Sequence, residues 1–328
     1  MNRKHDASGA LLWGRQFGTR DGDYTSGIAN DSGDNVYIAG VTFGDLAGTK
    51  GGGDSFVRKY SPSGATLWTK QFGTHGGDYT SGIAVRSSSV YVAGAIEDYN
   101  TGNYTGFVRR FDPSGRSLWQ KTISGYSFVN DVATDSRGNV YVLGVYETSN
   151  HSGSLFLRKY TPGGSALWTK EFQGDLFSYN NLAVDGSSVY IAGSEYNQTT
   201  DSTNLRLVKF STAGTKQWIK TFDLGGSIYV FDISACGGEI AVAGQISSNH
   251  PPDYVDGFTL KLTPRGSKVW VKRQATVESD ATGAVLVSSA GVYAAGFTEG
   301  KLGNNVYGSE DAFLTRLRSN NGATVWVK

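Results

Sequence analysis

The chain predicts an all-β fold built from repeated four-stranded antiparallel units, and three observations carry that prediction. Each of the seven tryptophans sits four residues after a glycine. Successive tryptophans are 55, 51, 49, 50, 52 and 56 residues apart, a period near fifty. Between them lie runs of four to seven residues rich in Val, Ile, Tyr, Phe and Trp, bounded by Gly, Ser, Asn or Asp, which is the pattern of strands joined by tight turns. The composition agrees: 45 glycines and only 6 prolines accompany 18 tyrosines and 16 phenylalanines in 328 residues.

Four segments recur in each period, here lettered A to D. Segment A is TSGIA (25–29), answered by TSGIAV (80–85), NDVAT (130–134), NNLAV (180–184), FDIS (231–234) and TGAVL (282–286). Segment B is VYIAG (36–40), with VYVAG, VYVLG, VYIAG, IAVAG and VYAAG as later copies. Segment C is DSFVRKY (54–60) and segment D is TLWTKQF (66–72). Four antiparallel strands per fifty residues describe a β-propeller blade, whose sheet edges are sheltered by repetition. One blade cannot bury both faces alone, so its neighbours must supply the packing.

The GIAVD-like A segments, GNVYVLG and DSFVRKYSPSG resemble the bacterial seven-bladed β-propeller repeat (SBBP) family over nearly the whole chain. The Gly-x-x-x-Trp spacing is similar to the tryptophan-docking motif of quinoprotein-type propellers. That resemblance implies a blade-docking role for Trp13, Trp68, Trp119, Trp168, Trp218, Trp270 and Trp326. The family resemblance also implies an extracellular or cell-surface location.

C and D occur seven times but A and B only six, which makes 26 strands. The favoured reading is a single propeller domain over 1–328 with a seven-blade design and one incomplete blade. It comprises a half-blade hairpin (1–17) and repeats at about 18–72, 73–123, 124–172, 173–222, 223–274 and 275–328. The alternative is six blades with a spare N-terminal hairpin, whose open edge invites self-association. Met1 to Lys4 align with Phe56 to Lys59, so the chain is expected to begin inside a repeat. No apolar h-region follows the N-terminal charges, so any export signal is expected outside this sequence. No run of 18 apolar residues offers a membrane-spanning helix.

Two cations recur in all seven copies. One lies two residues after each tryptophan (Arg15, Lys70, Lys121, Lys170, Lys220, Lys272, Lys328). The other lies on strand C (Lys4, Lys59, Arg110, Lys159, Lys209, Lys261, Arg316). A feature of every copy serves what every copy does, so these stems are expected to cover neighbouring blades or lie on an indole rather than form polyanion-binding rings. A formal charge of +1 gives no global field for nucleic acid. The glycines ending SPSG, DPSG and TPGG are expected at positive φ, and those ending strand B are expected to be bends. DSGDN (31–35) and DSRGN (135–139) read as Asx-turns rather than calcium loops, for they lack a bidentate Glu.

Function is expected where copies differ. The B–C and D–A connections vary in length and are rich in Tyr, Asn, Asp, Thr and His, a mixture suited to protein or glycan surfaces. Tyr99, Tyr104, Tyr146, Tyr196, Tyr254 and Tyr307 are the candidate ligand-binding residues there. On strand A, Asp131, Asn181 and Asp232 align with Gly27, Gly82 and Gly283 and are candidates for a channel mouth, or for capping backbone groups. The four histidines fall in four different copies, and no HExxH, G-x-S-x-G or Walker A pattern occurs. Cys236 is the only cysteine, so the vicinal disulfide expected of a quinone-cofactor site is out of reach. The reading is therefore a non-catalytic scaffold without a cofactor or metal, binding protein partners through the variable loops. A lectin-like glycan-binding module is the alternative, and a propeller hydrolase or lyase the less favoured one.

Overall fold

The computed structural model describes residues 2–49, 51–146, 153–173, 178–247, 255–302 and 310–328, without the side chains of 173 and 178–180. They form 26 strands in two compact units. The first unit holds Met1–Asp6 and Ala10–Gln173, and the second holds Ala7–Gly9 and Gly174–Lys328.

In the first unit, β1 (Asn2–His5) and β2 (Leu11–Arg15) make a two-stranded hairpin. Three four-stranded sheets follow. The first blade is β3 (Asp23–Asn30), β4 (Val36–Thr42), β5 (Asp54–Tyr60) and β6 (Thr66–Phe72). The second is β7 (Asp78–Arg86), β8 (Ser89–Glu97), β9 (Tyr104–Phe111) and β10 (Ser117–Ile123). The third is β11 (Ser127–Thr134), β12 (Val140–Tyr146), β13 (Ser154–Tyr160) and β14 (Ala166–Gln173). The second unit holds three more. Its first sheet is β15 (Ser178–Asp185), β16 (Ser188–Asn197), β17 (Ser202–Ser211) and β18 (Lys216–Phe222). Next come β19 (Ser227–Cys236), β20 (Glu239–Ser247), β21 (Val255–Leu262) and β22 (Lys268–Gln274). The last is β23 (Asp280–Ser288), β24 (Gly291–Thr298), β25 (Asp311–Leu317) and β26 (Thr324–Val327). Every sheet is ordered as the chain runs, A-B-C-D, with all pairs antiparallel. Among the described residues the complete blades are thus six, which corrects the favoured seven-blade reading; the extra C–D pair stands there as a hairpin without A and B strands.

The core lies along strands B and C. Tyr37, Tyr91, Tyr141 and Tyr190 of strand B are at most 2% exposed, and Phe56, Phe107, Phe156 and Phe258 of strand C at most 1%. Strand A lays its apolar residue on the preceding blade: Val132 clusters with Tyr91 and Ala93, and Ile233 with Tyr190 and Ala192.

Two irregularities recur, each with a physical reason. The A–B ladder slips by one residue beside the glycine that ends segment B, as between Thr25 and Gly27 opposite Gly40. A side chain at Gly40 would begin 1.9 Å from the Tyr24 carbonyl oxygen, and one at Gly94 1.8 Å from that of Tyr79. These glycines are therefore needed for close backbone approach at a bulge, and the expected bend is not their reason. The slip also puts Ala284, not Gly283, opposite Ala295, the register position that Gly27 holds opposite Ala39. In the C–D ladder a bulge skips the residue before each tryptophan, as at Leu67 between Trp68 and Thr66. That residue turns outward: Leu12, Leu67 and Leu167 are more than half exposed. D is the outer strand of each sheet, and a bulge there both re-aims the next side chain and blunts the edge.

Candidate functional site: the loop end of the second blade

The docking positions set the frame. Trp13 Nε1 donates to Pro62 O at 2.9 Å, Trp68 Nε1 to Pro113 O at 3.0 Å and Trp119 Nε1 to Pro162 O at 3.0 Å, all in the first unit. In the second unit Trp270 donates to Ser319 O at 3.0 Å and Trp326 to Ala7 O at 3.2 Å. Each acceptor belongs to the C–D turn of the neighbouring copy, and that turn's glycine lies flat on the indole. A side chain on Gly115 would meet Trp68 Cδ2 at 3.0 Å, and one on Gly266 would meet Trp218 Cη2 at 3.0 Å. The strand-C cations lie on the strand-B tyrosines rather than on an indole: Lys59 is 5.0 Å from the Tyr37 centroid, Lys159 4.9 Å from Tyr141 and Lys209 5.3 Å from Tyr190.

The A–B turns are closed by their own aspartates. Asp31 accepts from Gly33 N, Asn35 N, Asn35 Nδ2 and the buried Tyr37 hydroxyl at 2.9–3.1 Å. Asp135 does the same with Arg137, Asn139 and Tyr141. Burial by itself raises both carboxyls, yet the hydrogen bonds outweigh it and hold them below the ordinary carboxylate value. Asp131 Oδ1 accepts from Val132 N at 2.7 Å in the first unit. In the second, Asp232 accepts from Ile233 N at 2.8 Å and Val285 N at 2.7 Å, so the strand-A acids bind backbone amides. Asn181 sits half-buried on β15. Among the described residues no group of three His, Cys, Asp or Glu side chains is placed to hold a metal ion.

The structure separates the loop tyrosines. Tyr99 is 68% exposed and Tyr196 48%. Tyr196 donates to Asp201 at 2.6 Å, and that bond, with the Asp201 charge, raises its hydroxyl pKa. Tyr146 is half-buried at the end of β12, where it stacks on Phe156 at 4.6 Å and meets Arg158 Nη2 at 3.0 Å. Tyr104 is half-buried among Tyr79, Tyr126 and Phe128, with the Phe128 centroid 4.6 Å away. Tyr254 and Tyr307, like His151 and His250, lie outside the described residues.

Around Tyr99 the second blade forms an open cleft of about 390 Å³, between the D–A loop at Thr74–Gly76 and the B–C loop at Glu97–Asn100. His75 meets the Tyr99 ring edge-on at 5.0 Å. Asp98 ties its loop into a short hairpin by accepting from Asn100 N at 2.9 Å and, through its carbonyl, from Gly102 N at 2.8 Å. Gly76 is needed there because a side chain would start 2.3 Å from Glu97 O. Beneath the cleft, sharing Thr74 and Ile96 with it, lies a cavity of about 30 Å³ bounded by Phe72, Asp78, Phe107, Arg109 and Gln120. It has room for a water molecule. Burial raises the Asp78 carboxyl, against hydrogen bonds from Thr74 N and Oγ1 at 2.6 and 3.0 Å. Burial also lowers the Arg109 guanidinium, which lies 4.5 Å over Phe72. Sequence reasoning found Tyr99 but missed His75, Glu97 and Asp98, because their meeting depends on two loops packing together.

The fold is that of a β-propeller with four-stranded antiparallel blades. Residues 12–47 match the family model described as the SBBP β-propeller repeat. No curated protein sequence matches. The β-propeller domain of the Trilobed protease from Pyrococcus furiosus is similar at TM-score 0.55 and 9% identity, over 91% of this chain and 82% of that one. Synechocystis apocarotenoid oxygenase is similar at TM-score 0.54 and 12% identity, over 92% of this chain and 70% of that one. An acylaminoacyl peptidase is similar at TM-score 0.53 and 10% identity, over 89% of this chain and 44% of that one. At such identities the likeness is one of fold.

Proposed function

We propose that this protein is a non-catalytic binding module of the bacterial cell surface that takes a protein partner on its B–C and D–A loops. The observation that carries this reading is the cleft of the second blade. An exposed tyrosine there stands on a hydrogen-bonded loop beside His75, Glu97 and Asp98, on a rigid sheet. Rigid aromatic platforms with adaptable polar neighbours suit macromolecular recognition at little entropic cost. Two acids outside the cleft serve structure: Asp54 holds Gln71 Nε2 at 2.7 Å, and Asp78 holds the turn at Thr74.

A second reading has its own support. The cleft volume of about 390 Å³ falls in the range of small-ligand sites, and a single exposed ring with flanking carboxylates suits a neutral saccharide unit. Two assays on one variant set separate them: a glycan array, and crosslinking to proteins of a bacterial cell surface. The protein reading expects crosslinks that Tyr99→Ala abolishes and Leu67→Ser, on the outer strand, leaves intact. Array hits lost in Tyr99→Ala, with unchanged crosslinks, would establish the glycan reading instead. Indifference of both readouts to Tyr99→Ala would remove the site.

A further inference from the structure

We infer that the first unit carries a docking surface for one partner of defined chemistry: a β-hairpin of the A–B repeat type, added along Asn2–Lys4 on the side of β1 opposite β2. The surface has two parts. The first is an edge. In every complete blade strand C pairs with D on one side and B on the other, whereas β1 pairs only with β2 among the described strands. The B–C register is the same in each blade: Tyr37 faces Lys59, Tyr91 faces Arg110, Tyr141 faces Lys159, and Tyr293 faces Arg316. Lys4 occupies that strand-C position on β1, where it pairs with Trp13 as Lys59 pairs with Trp68.

The second part is a face. The strand-A residue that packs on the preceding blade of its own unit is covered in the later copies: Val132 is 4% exposed, Ile233 5% and Val285 7%. Ile83 lies against Gly27 of the first blade and belongs to the cluster of Tyr37 and Ala39. The corresponding residue of the first blade, Ile28, is 65% exposed, and Tyr24 on the same strand is also 65% exposed. The hairpin covers the outer half of that blade, where Trp13 clusters with Val36, Ile38 and Phe56. Within each unit the B strand of the preceding blade lies with this residue: Tyr37 and Ala39 with Ile83, Tyr91 and Ala93 with Val132, Tyr190 and Ala192 with Ile233, and Ala241 and Ala243 with Val285.

One element can therefore serve both as edge partner and as cover. Its B strand would read Val-Tyr-apolar-Ala-Gly, with the tyrosine opposite Lys4 and the next two residues opposite Arg3 and Asn2. Its small residues would lie over Ile28, as Ala39 lies with Ile83. This continues, on β1, the B–C interface already made six times in the chain. A second copy of the chain is a poorer occupant, because each of its own A–B pairs is already built into a four-stranded sheet.

The test uses residues 1–328 with a disulfide-closed synthetic hairpin of the Asp78–Glu97 sequence, and a fusion carrying that sequence and its following loop ahead of Met1. Saturable 1:1 binding is expected, with hydrogen-exchange protection appearing on Asn2–Lys4. Ile28→Asp should weaken binding at least about tenfold. The fusion should melt at least about 3 °C above the parent. Ile28→Asp should lower the melting point of the fusion while leaving that of the parent unchanged, since Ile28 is exposed in the parent. A hairpin that neither binds nor raises the melting point of the fusion overturns the proposal, as does binding indifferent to Ile28→Asp. Protection of Asn2–Lys4 by concentration-dependent dimerisation without hairpin would make the occupant a second copy, and would overturn it too. Neither readout involves Tyr99, so failure here is distinguishable from failure of the loop-binding reading.

Discussion

Replacing Gly115 with alanine measures how much the glycine-on-indole contact holds neighbouring blades together. Gly115 has φ of +81°, where an L side chain costs about 1–2 kcal/mol. Its new methyl would also meet Lys70 Cε at 2.9 Å and Trp68 Cδ2 and Cε2 at 3.0 and 3.2 Å. The lysine end can move away, but the indole is held by its 3.0 Å bond to Pro113 O, so relief must strain or break that bond. Loss of one such bond costs about 1 kcal/mol. Adding the displaced packing, Gly115→Ala should cost about 2–4 kcal/mol in all. Gly102→Ala is the control: its φ is +68° and nothing lies within 4 Å, so backbone strain of about 1–2 kcal/mol is its whole cost. Urea denaturation should therefore show an excess of about 1–2 kcal/mol for Gly115→Ala, and that excess should vanish in a Trp68→Leu background. Equal costs at the two glycines, or an excess that survives removal of the indole, would refute the docking account.

Tyr37→Phe removes the 2.9 Å bond to Asp31 and should cost about 2 kcal/mol at neutral pH, a magnitude typical of hydrogen bonds to a charged group. The Asp31 carboxyl is lowered in the fold, so its contribution is present above its unfolded value, near 3.8, and is lost as pH falls through the folded value. Urea melts from pH 7 to pH 2 should show the gap between wild type and Tyr37→Phe closing below about pH 4. Asp232→Ala leaves the amide of Val285, which is 7% exposed, without its carboxylate acceptor, and should cost about 1–3 kcal/mol in thermal melts. Tyr99→Ala should change stability by less than about 0.5 kcal/mol, because the ring is mostly in solvent.

The strand pattern was legible because period-two alternation and turn chemistry act locally: all 26 strands lie where the recurring segments place them. The bulges were not. Gly-x-x-x-Trp has the same spacing whether or not Leu67 is skipped, and only the pairing of Trp68 with Lys59 and Thr66 with Tyr60 reveals the slip. The strand-B glycines likewise announce themselves without their reason, which is a carbonyl on the adjacent strand. At the candidate site, Tyr99 and Tyr146 both lie in polar stretches after a strand-B glycine, but Tyr146 is two residues past Gly144 and Tyr99 five past Gly94. β12 runs on through Tyr146 and pairs it with Ser154, which turns its ring onto Phe156, whereas Tyr99 lies beyond Glu97 in a turn. β8 runs three residues past Gly94 and β12 two past Gly144, so the offset of each tyrosine decides whether it falls in the strand or beyond it, while the ring that receives Tyr146 is tertiary information.

The recurring cations show how a ligand-like pattern becomes a structural one. In the first unit Pro113 O takes Trp68 Nε1 at 3.0 Å and Lys59 Nζ at 3.3 Å, and Pro162 O takes Trp119 Nε1 at 3.0 Å and Arg110 Nη1 at 2.8 Å. In the second, Ser319 O takes Trp270 and Lys261, and Ala7 O takes Trp326 and Arg316. An indole and a cation thus converge on one carbonyl of the next turn, which explains why the two residues travel together through the repeats. Lys59 is 8% exposed and lies over the Tyr37 ring, so its charge acts where salt screens little. Lys59→Met should therefore cost about 1–2 kcal/mol, nearly unchanged between 0.05 and 1 M salt. Lys70→Met, at the exposed position two residues after Trp68, should cost less than about 0.5 kcal/mol in the same melts. A polyanion-binding ring demands the opposite: both variants near neutral in stability, and both weakening salt-dependent retention on heparin.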